Sequence, residues 1–174
     1  MKILITYHSN TENTAKVANA MKESLEEEGQ EVTMSPAIDV DPSGLNSYDL
    51  IVLGSGIYSR GIGRSIKSLM KKATELPPKI ACFQTYQNET WYPKAFTKAI
   101  GKTLEKCNSK IVDEFGCWGY NLGMTDEQMD QLASSFPPEE KKRMEEQRKR
   151  TKGHPNEEDC ENAKAFAKNL LKKI

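Results

Sequence analysis

Short apolar runs separated by stretches of helical period constrain this chain most. Residues 3–7 (Ile-Leu-Ile-Thr-Tyr) and 50–53 (Leu-Ile-Val-Leu) are nearly all apolar, as strands buried on both faces of a parallel sheet must be. Residues 80–83 (Ile-Ala-Cys-Phe) read the same way, whereas 31–34 (Glu-Val-Thr-Met) and 111–115 are broken by polar side chains and suit the sheet's edges. A first helix is expected over about residues 13–28, with Val17, Met21 and Leu25 on one stripe, Ala18 beside them and Gly29 as the stop. A second, over about 62–73, buries Ile66, Leu69, Met70 and Ala73. A third follows Pro93, with Phe96, Ala99, Ile100 and Leu104 inward. The last follows His154-Pro155, with Asn156 as N-cap and Ala163, Phe166, Ala167, Leu170 and Leu171 inside. Its acidic residues 157–159 suit the positive end of the helix dipole. This alternation predicts an α/β fold: a doubly wound five-stranded parallel sheet of order 2-1-3-4-5, with helices on both faces and right-handed crossovers.

Residues 124–152 break the rhythm. Thr125 and Gln128 have the spacing of a capping box, opening a short helix with Met129, Leu132 and Ala133 inside. After Phe136-Pro137-Pro138, residues 139–152 hold Met144 as their one hydrophobic side chain. A solvated helix is expected there, held by i,i+4 pairs such as Glu139–Arg143. The 174 residues fit a single domain, 1–174, carrying this charged helical insertion. Its 25 basic and 25 acidic side chains cancel, which speaks against a dedicated nucleic-acid binder. No apolar run approaches the ~20 residues of a membrane span, and no signal peptide is expected before the first strand. Cys82, Cys107, Cys117 and Cys160 form no C-x-x-C pair, so reduced thiols in a cytoplasmic protein are expected.

The functional signal lies where the first strand enters the first helix, at Ser9-Asn10-Thr11-Glu12-Asn13-Thr14. A polar loop leading into a helix start presents unpaired N–H groups and the positive end of the helix dipole to an anion. Several phosphate signatures are absent: the loop has neither the glycines and lysine of G-x-x-x-x-G-K-[ST] nor the spacing of G-x-G-x-x-G. It also lacks the cysteine of a Cys-x5-Arg phosphatase loop, and Leu53-Gly54 stands where a receiver domain needs an acidic residue. The hydroxyls of Ser9, Thr11 and Thr14 and the amides of Asn10 and Asn13 can hold a phosphate by hydrogen bonds alone.

This loop resembles the phosphate loop of the flavodoxin family, S/T-x-T-G-x-T with Asn common before the last Thr. Ser9, Asn10, Thr11, Asn13 and Thr14 match it, and the resemblance implies that they bind the phosphate of FMN. Glu12 stands where the family often has glycine. It forfeits glycine's tolerance of positive φ and brings a carboxylate near an anion. Its side chain is therefore expected to face solvent, leaving its N–H to the ligand. Gly54-Ser55-Gly56-Ile57-Tyr58-Ser59-Arg60-Gly61 resembles the family's ring-binding loop, often G-S-P-x-Y-x-G. The resemblance places Ser55, Gly56, Ile57, Tyr58 and Ser59 against the isoalloxazine, with Tyr58 stacked on it or at its edge. A peptide group near residues 56–59 would donate to flavin N5 and tune its potential. Residues 84–92 match the loop that reaches the ring's edges, with Thr85, Tyr86 and Gln87 as candidate contacts; Trp91 suits either stacking or packing.

Residues 116–120 (Gly-Cys-Trp-Gly-Tyr) end the fifth strand on the same side, where Cys117 and Trp118 read as structural rather than as rim residues. His154 reads as a turn residue at the site's edge, and His8 would add positive charge below pH ~6.5 without a catalytic role. The sequence shows no Ser/His/Asp constellation, paired carboxylates or metal-ligand spacing.

The family likeness implies an FMN-binding electron-transfer protein that docks with redox protein partners. Two alternatives stay open. One is an FMN-dependent oxidoreductase acting on a quinone or porphyrinogen-type substrate, or another small-molecule electron acceptor. The other is a flavodoxin-like binding domain without flavin. Carrier flavodoxins are typically strongly acidic, and this chain's balanced charge lacks that docking field. The insertion suits a partner-docking surface, a lid over the flavin or a solvated appendage.

Overall fold

The computed structural model describes residues 1–58, 61–88, 90, 94–120 and 123–174. In chain order the strands are β1 (Lys2–His8), β2 (Glu31–Pro36), β3 (Leu50–Tyr58), β4 (Gly61–Ile62), β5 (Lys79–Tyr86) and β6 (Lys110–Trp118). Five of them run parallel in the order β2-β1-β3-β5-β6, so the doubly wound sheet is as expected and the polar-broken β2 and β6 lie at its edges. The two-residue β4 is additional: it turns back antiparallel on the end of β3, pairing Ile57 with Ile62.

The helices are α1 (Asn13–Glu27), α2 (Arg64–Lys72), α3 (Ala95–Lys106), α4 (Asp126–Ser134), α5 (Pro138–Thr151) and α6 (Glu157–Leu170). The period of two in β1 divides the core. Ile3 and Ile5 join Val17, Met21, Phe83 and Ala167 under α1 and α6. Leu4 joins Ile51, Leu53, Ile66, Phe96 and Ile100 under α2 and α3. Gly54 belongs to this packing, because a Cβ there would lie 2.1 Å from Cζ of the Phe83 ring. Among the described residues, no helix is long and apolar enough to cross a membrane.

Several expectations need correction. Ile62, expected in the second helix, is a buried β4 residue, and α2 starts only at Arg64. The stretch from Gly54 to Tyr58 and the triplet Gln84-Thr85-Tyr86, expected as loops, continue β3 and β5; Gly54 pairs with Phe83, Ser55 with Gln84 and Gly56 with Thr85. Their polar side chains hid the extended ladder from a hydrophobicity pattern. Ala99 is exposed and Ala95 is buried in α3 instead, while Leu132 in α4 is 41% exposed. The expected Thr125–Gln128 capping box is present. Long-range charge holds α5, however: Arg148 Nη2 lies 2.5 Å from Asp126 Oδ1 and Nη1 lies 2.7 Å from Asp130 Oδ1. Among the described residues, no ion pair joins Glu139 to Arg143.

Candidate functional site

The chain leaves β1 toward one face of the sheet and β3 toward the other, which opens a crevice at the carboxyl ends of these two neighbours. Doubly wound sheets bind ligands at such a point, and flavodoxins are a standing example of the rule. The loop after β1 lies at this crevice. Its first helical bond runs from Lys16 N to Glu12 O at 2.9 Å, so the N–H groups of Asn13, Thr14 and Ala15 have no partner within the helix. Ser9 Oγ is buried with no hydrogen-bond partner among the described residues. A buried hydroxyl left unpaired costs about 1–3 kcal/mol, so Ser9 Oγ is a group that could accept from or donate to a ligand atom. The Lys16 ammonium donates to the Pro155 carbonyl at 2.6 Å, which holds it against the segment that leads into α6.

Glu12 takes the left-handed conformation, φ 62° and ψ −12°, and makes no side-chain cap bond. Its side chain is exposed. Asn13 and Thr14 turn inward. The Asn13 amide donates to Thr11 Oγ1 at 3.2 Å and to the carbonyl of Tyr120. Thr14 Oγ1 meets Thr85 Oγ1 at 2.9 Å in a buried contact. Asn10 N donates to the Tyr58 hydroxyl at 3.2 Å, so Tyr58 arches from β3 to the first loop.

A cleft of about 160 Å³ lies between these elements. Thr11 and Asn13 wall it on the loop side, Gly56, Ile57 and Tyr58 along β3, and Thr85, Tyr86 and Gln87 at the end of β5. Ser55 does not line it: its buried hydroxyl donates to the Gly56 carbonyl and accepts from Gly63 N, both at 2.7 Å, and so ties β3 to the residue that starts α2. Ser59, Trp91 and Tyr92 lie outside the described residues.

Gly119 and Tyr120, expected only at a strand end, also wall the cleft. A Cβ on Gly119 would lie 3.1 Å from both Asn13 Nδ2 and Thr85 Cβ, so the close approach of this backbone depends on glycine. The Tyr120 N–H donates to the His154 carbonyl at 2.8 Å, and its hydroxyl donates to Asp126 Oδ1 at 2.8 Å. That bond, and then the one from Arg148, hold the Asp126 carboxyl below the usual carboxylate range. His154 is thus a turn residue as expected, with Nδ1 2.6 Å from Asp159 Oδ2. A glycine-tyrosine pair just past a strand end was the available signal for these two positions.

Burial pushes the His8 imidazole below its ordinary value. Its Nδ1 lies 2.7 Å from Ser65 Oγ and its ring stands edge-on to Tyr58 at 5.5 Å. The positive charge expected of it therefore appears only at lower pH. Desolvation raises the Tyr58 phenol, and burial pushes the Cys117 thiol far up, so neither group is an activated nucleophile. Among the described residues, no cluster of His, Cys, Asp or Glu has the arrangement of a metal site. The chemistry on offer is hydrogen bonding to an anion beside a slot bordered by Tyr58, Tyr86 and Tyr120.

A doubly wound sheet with a hydroxyl- and amide-rich loop and an aromatic-bordered cleft at its switch point is the architecture of the flavodoxin-like class of α/β proteins. The family model of the flavodoxin domain matches residues 4–168, and the chain belongs to that family. It is 30% identical over 173 residues to an uncharacterized protein of Methanocaldococcus jannaschii, covering 99% of each chain. It is 26% identical over 178 residues to the flavodoxin-like domain-containing protein BilS of Clostridioides difficile, covering 98% of this chain and 97% of that one. Oxidised flavodoxin 2 of Bacillus cereus shares the fold over the full length of both chains, with a TM-score of 0.65 at 21% identity.

Proposed function

We propose that this protein binds FMN at the crevice between β1 and β3 and serves in electron transfer. The observation that carries the reading is the buried Ser9 hydroxyl, without a partner among the described residues, beside the open N–H groups at the start of α1. Ser9, Asn10, Thr11, Asn13 and Thr14, with the Glu12 N–H, would hold the phosphate. Gly56, Ile57 and Tyr58 would lie along one side of the ring, with Thr85, Tyr86 and Gln87 along the other. Ser55 would act behind them by tying β3, which carries Tyr58, to Gly63 at the start of α2. The bound flavin would supply reversible one- and two-electron chemistry; the chain's part is to hold it, orient it and keep water from part of it.

A second reading, an FMN-dependent oxidoreductase, is favoured by one feature: α4 and α5 form a cavity that shares Gln87 and Tyr120 with the cleft. A pure carrier has no need of a small-molecule cavity there. Adding FMN to flavin-free protein should give saturable quenching of flavin fluorescence. The Thr11→Ala/Thr14→Ala variant should bind more weakly, each lost charge-assisted bond being worth roughly 1.5–3 kcal/mol. Absence of FMN uptake removes both readings, and unchanged affinity in the variant moves the phosphate elsewhere. Steady turnover with NAD(P)H and a small acceptor would select the second reading over the first.

A further inference from the structure

We infer that α5 and the end of β5 form a subsite for the anionic group of a small amphiphilic redox substrate. The redox role rests on the FMN reading; binding of the anion does not.

Arg143, Glu146, Gln147 and Arg150 recur at helical spacing and share one face of α5. Opposite them stand Gln87, Asn88, Thr90 and Trp118, and about 220 Å³ of space lies between. Among the described residues neither Arg143 nor Arg150 forms an ion pair, and Glu146 is the one carboxylate that lines the pocket, which leaves a net positive charge on the α5 wall. Arg148 behaves differently: bound to Asp126 and Asp130, it fastens the helix and leaves the other two guanidiniums to the pocket. A planar guanidinium matches a carboxylate, sulfonate or phosphate in geometry as well as charge.

The pocket adjoins the cleft. Gln87 lines both, and the Trp118 ring lies 5.1 Å from that of Tyr86, which walls the cleft. Gln87 and Gln147 also border a second space of about 220 Å³, lined by Met124, Met129, Leu132 and Met144. Flexible thioethers accommodate apolar bodies of varied shape, and this cavity explains why Leu132 and Met129 are not closed into a core. A ligand with an apolar ring and one anionic group would place the ring by the methionines and the anion by the arginines, both beside the flavin cleft. The arginines would also offset the repulsion between an anionic substrate and the FMN phosphate.

Anthraquinone-2-sulfonate is a suitable probe, with uncharged menadione as the control. Binding is read from tryptophan fluorescence in flavin-free and in FMN-saturated protein. Reoxidation of dithionite-reduced holoprotein gives the rate, as the quinone oxygens gain the two electrons and two protons that the reduced flavin gives up. Arg143→Gln/Arg150→Gln should weaken sulfonate binding by roughly tenfold or more, as loss of charge-assisted bonds predicts. It should raise the half-saturating concentration in the reoxidation rate and leave menadione unaffected. Arg143→Lys/Arg150→Lys should recover part of the loss, which a folding defect would not allow. Equal sulfonate affinity in wild type and the Gln variant, or equal losses for both quinones, overturns the proposal. A failure of FMN uptake alone would refute the flavin reading and leave the binding result standing.

Discussion

Glu12 places two separable burdens on the first loop, and three substitutions tell them apart. Its backbone sits at φ 62°, its side chain is exposed, and it makes no capping bond. Left-handed geometry costs an L-residue roughly 1–2 kcal/mol, and Glu12→Gly removes that strain. The added freedom of the unfolded chain returns roughly 0.5–1 kcal/mol. A net gain of about 0.5–1 kcal/mol remains, or roughly 1–4 °C in Tm for a chain of this size. Glu12→Gln and Glu12→Ala keep the strain and should melt within about 1 °C of wild type. The carboxylate acts on the ligand instead. Across water and salt, like charges several Å apart repel by about 0.5 kcal/mol, a two- to threefold effect on affinity. Gln and Gly should both tighten FMN binding by that factor, while only Gly raises Tm. Circular-dichroism melts of the flavin-free variants and fluorescence titrations with FMN measure the two effects. A glycine variant that melts no higher than the glutamine variant refutes the strain argument.

Because folding lowers the His8 pKa, the unfolded chain binds that proton more readily. The stability due to neutral His8 is complete above pH ~6.5 and declines as pH falls through the window between the unfolded and the lower folded pKa. Urea unfolding of His8→Gln across pH 5–7 should therefore show a flatter profile than wild type. Gly54→Ala drives a methyl into the Phe83 ring, 2.1 Å from its Cζ. Overpacking of this kind costs about 1–3 kcal/mol or somewhat more, which calorimetry should show as a Tm lower by several degrees.

The frame was legible because runs such as Leu50-Ile-Val-Leu53 have no polar face to give to water and must be covered on both sides. The broken runs at 31–34 and 111–115 marked the edges for the complementary reason. Strand length was less legible: Ser55, Gln84 and Thr85 are polar yet buried in the ladder, a fact of tertiary covering. Ile62 looked helical by spacing, but the β4 return placed it in the core. Thr11, Asn13, Tyr58, Thr85 and Tyr86 line one cleft, and that they would share a place was legible because helix starts and strand ends carry their own residue signals. Tyr120 was missed because part of its role runs through its backbone, whose carbonyl receives the Asn13 amide and whose N–H reaches His154. Arg148 was missed because its partners lie 18 and 22 positions away, beyond any helical pairing rule.

The bond from Asn13 to Tyr120 spans 107 positions, and it has a consequence for how the protein assembles. Local helices and adjacent strands can form early, but this contact waits until both halves of the chain and the segment around His154 are in place, because long loops must close first. The crevice should then be the last part to close on folding and the first to open in native fluctuations, with hydrogen exchange at residues 119–120 outpacing that of β3 and β5. A ligand bridging the first loop and the end of β5 would fasten the place where the two halves of the chain meet.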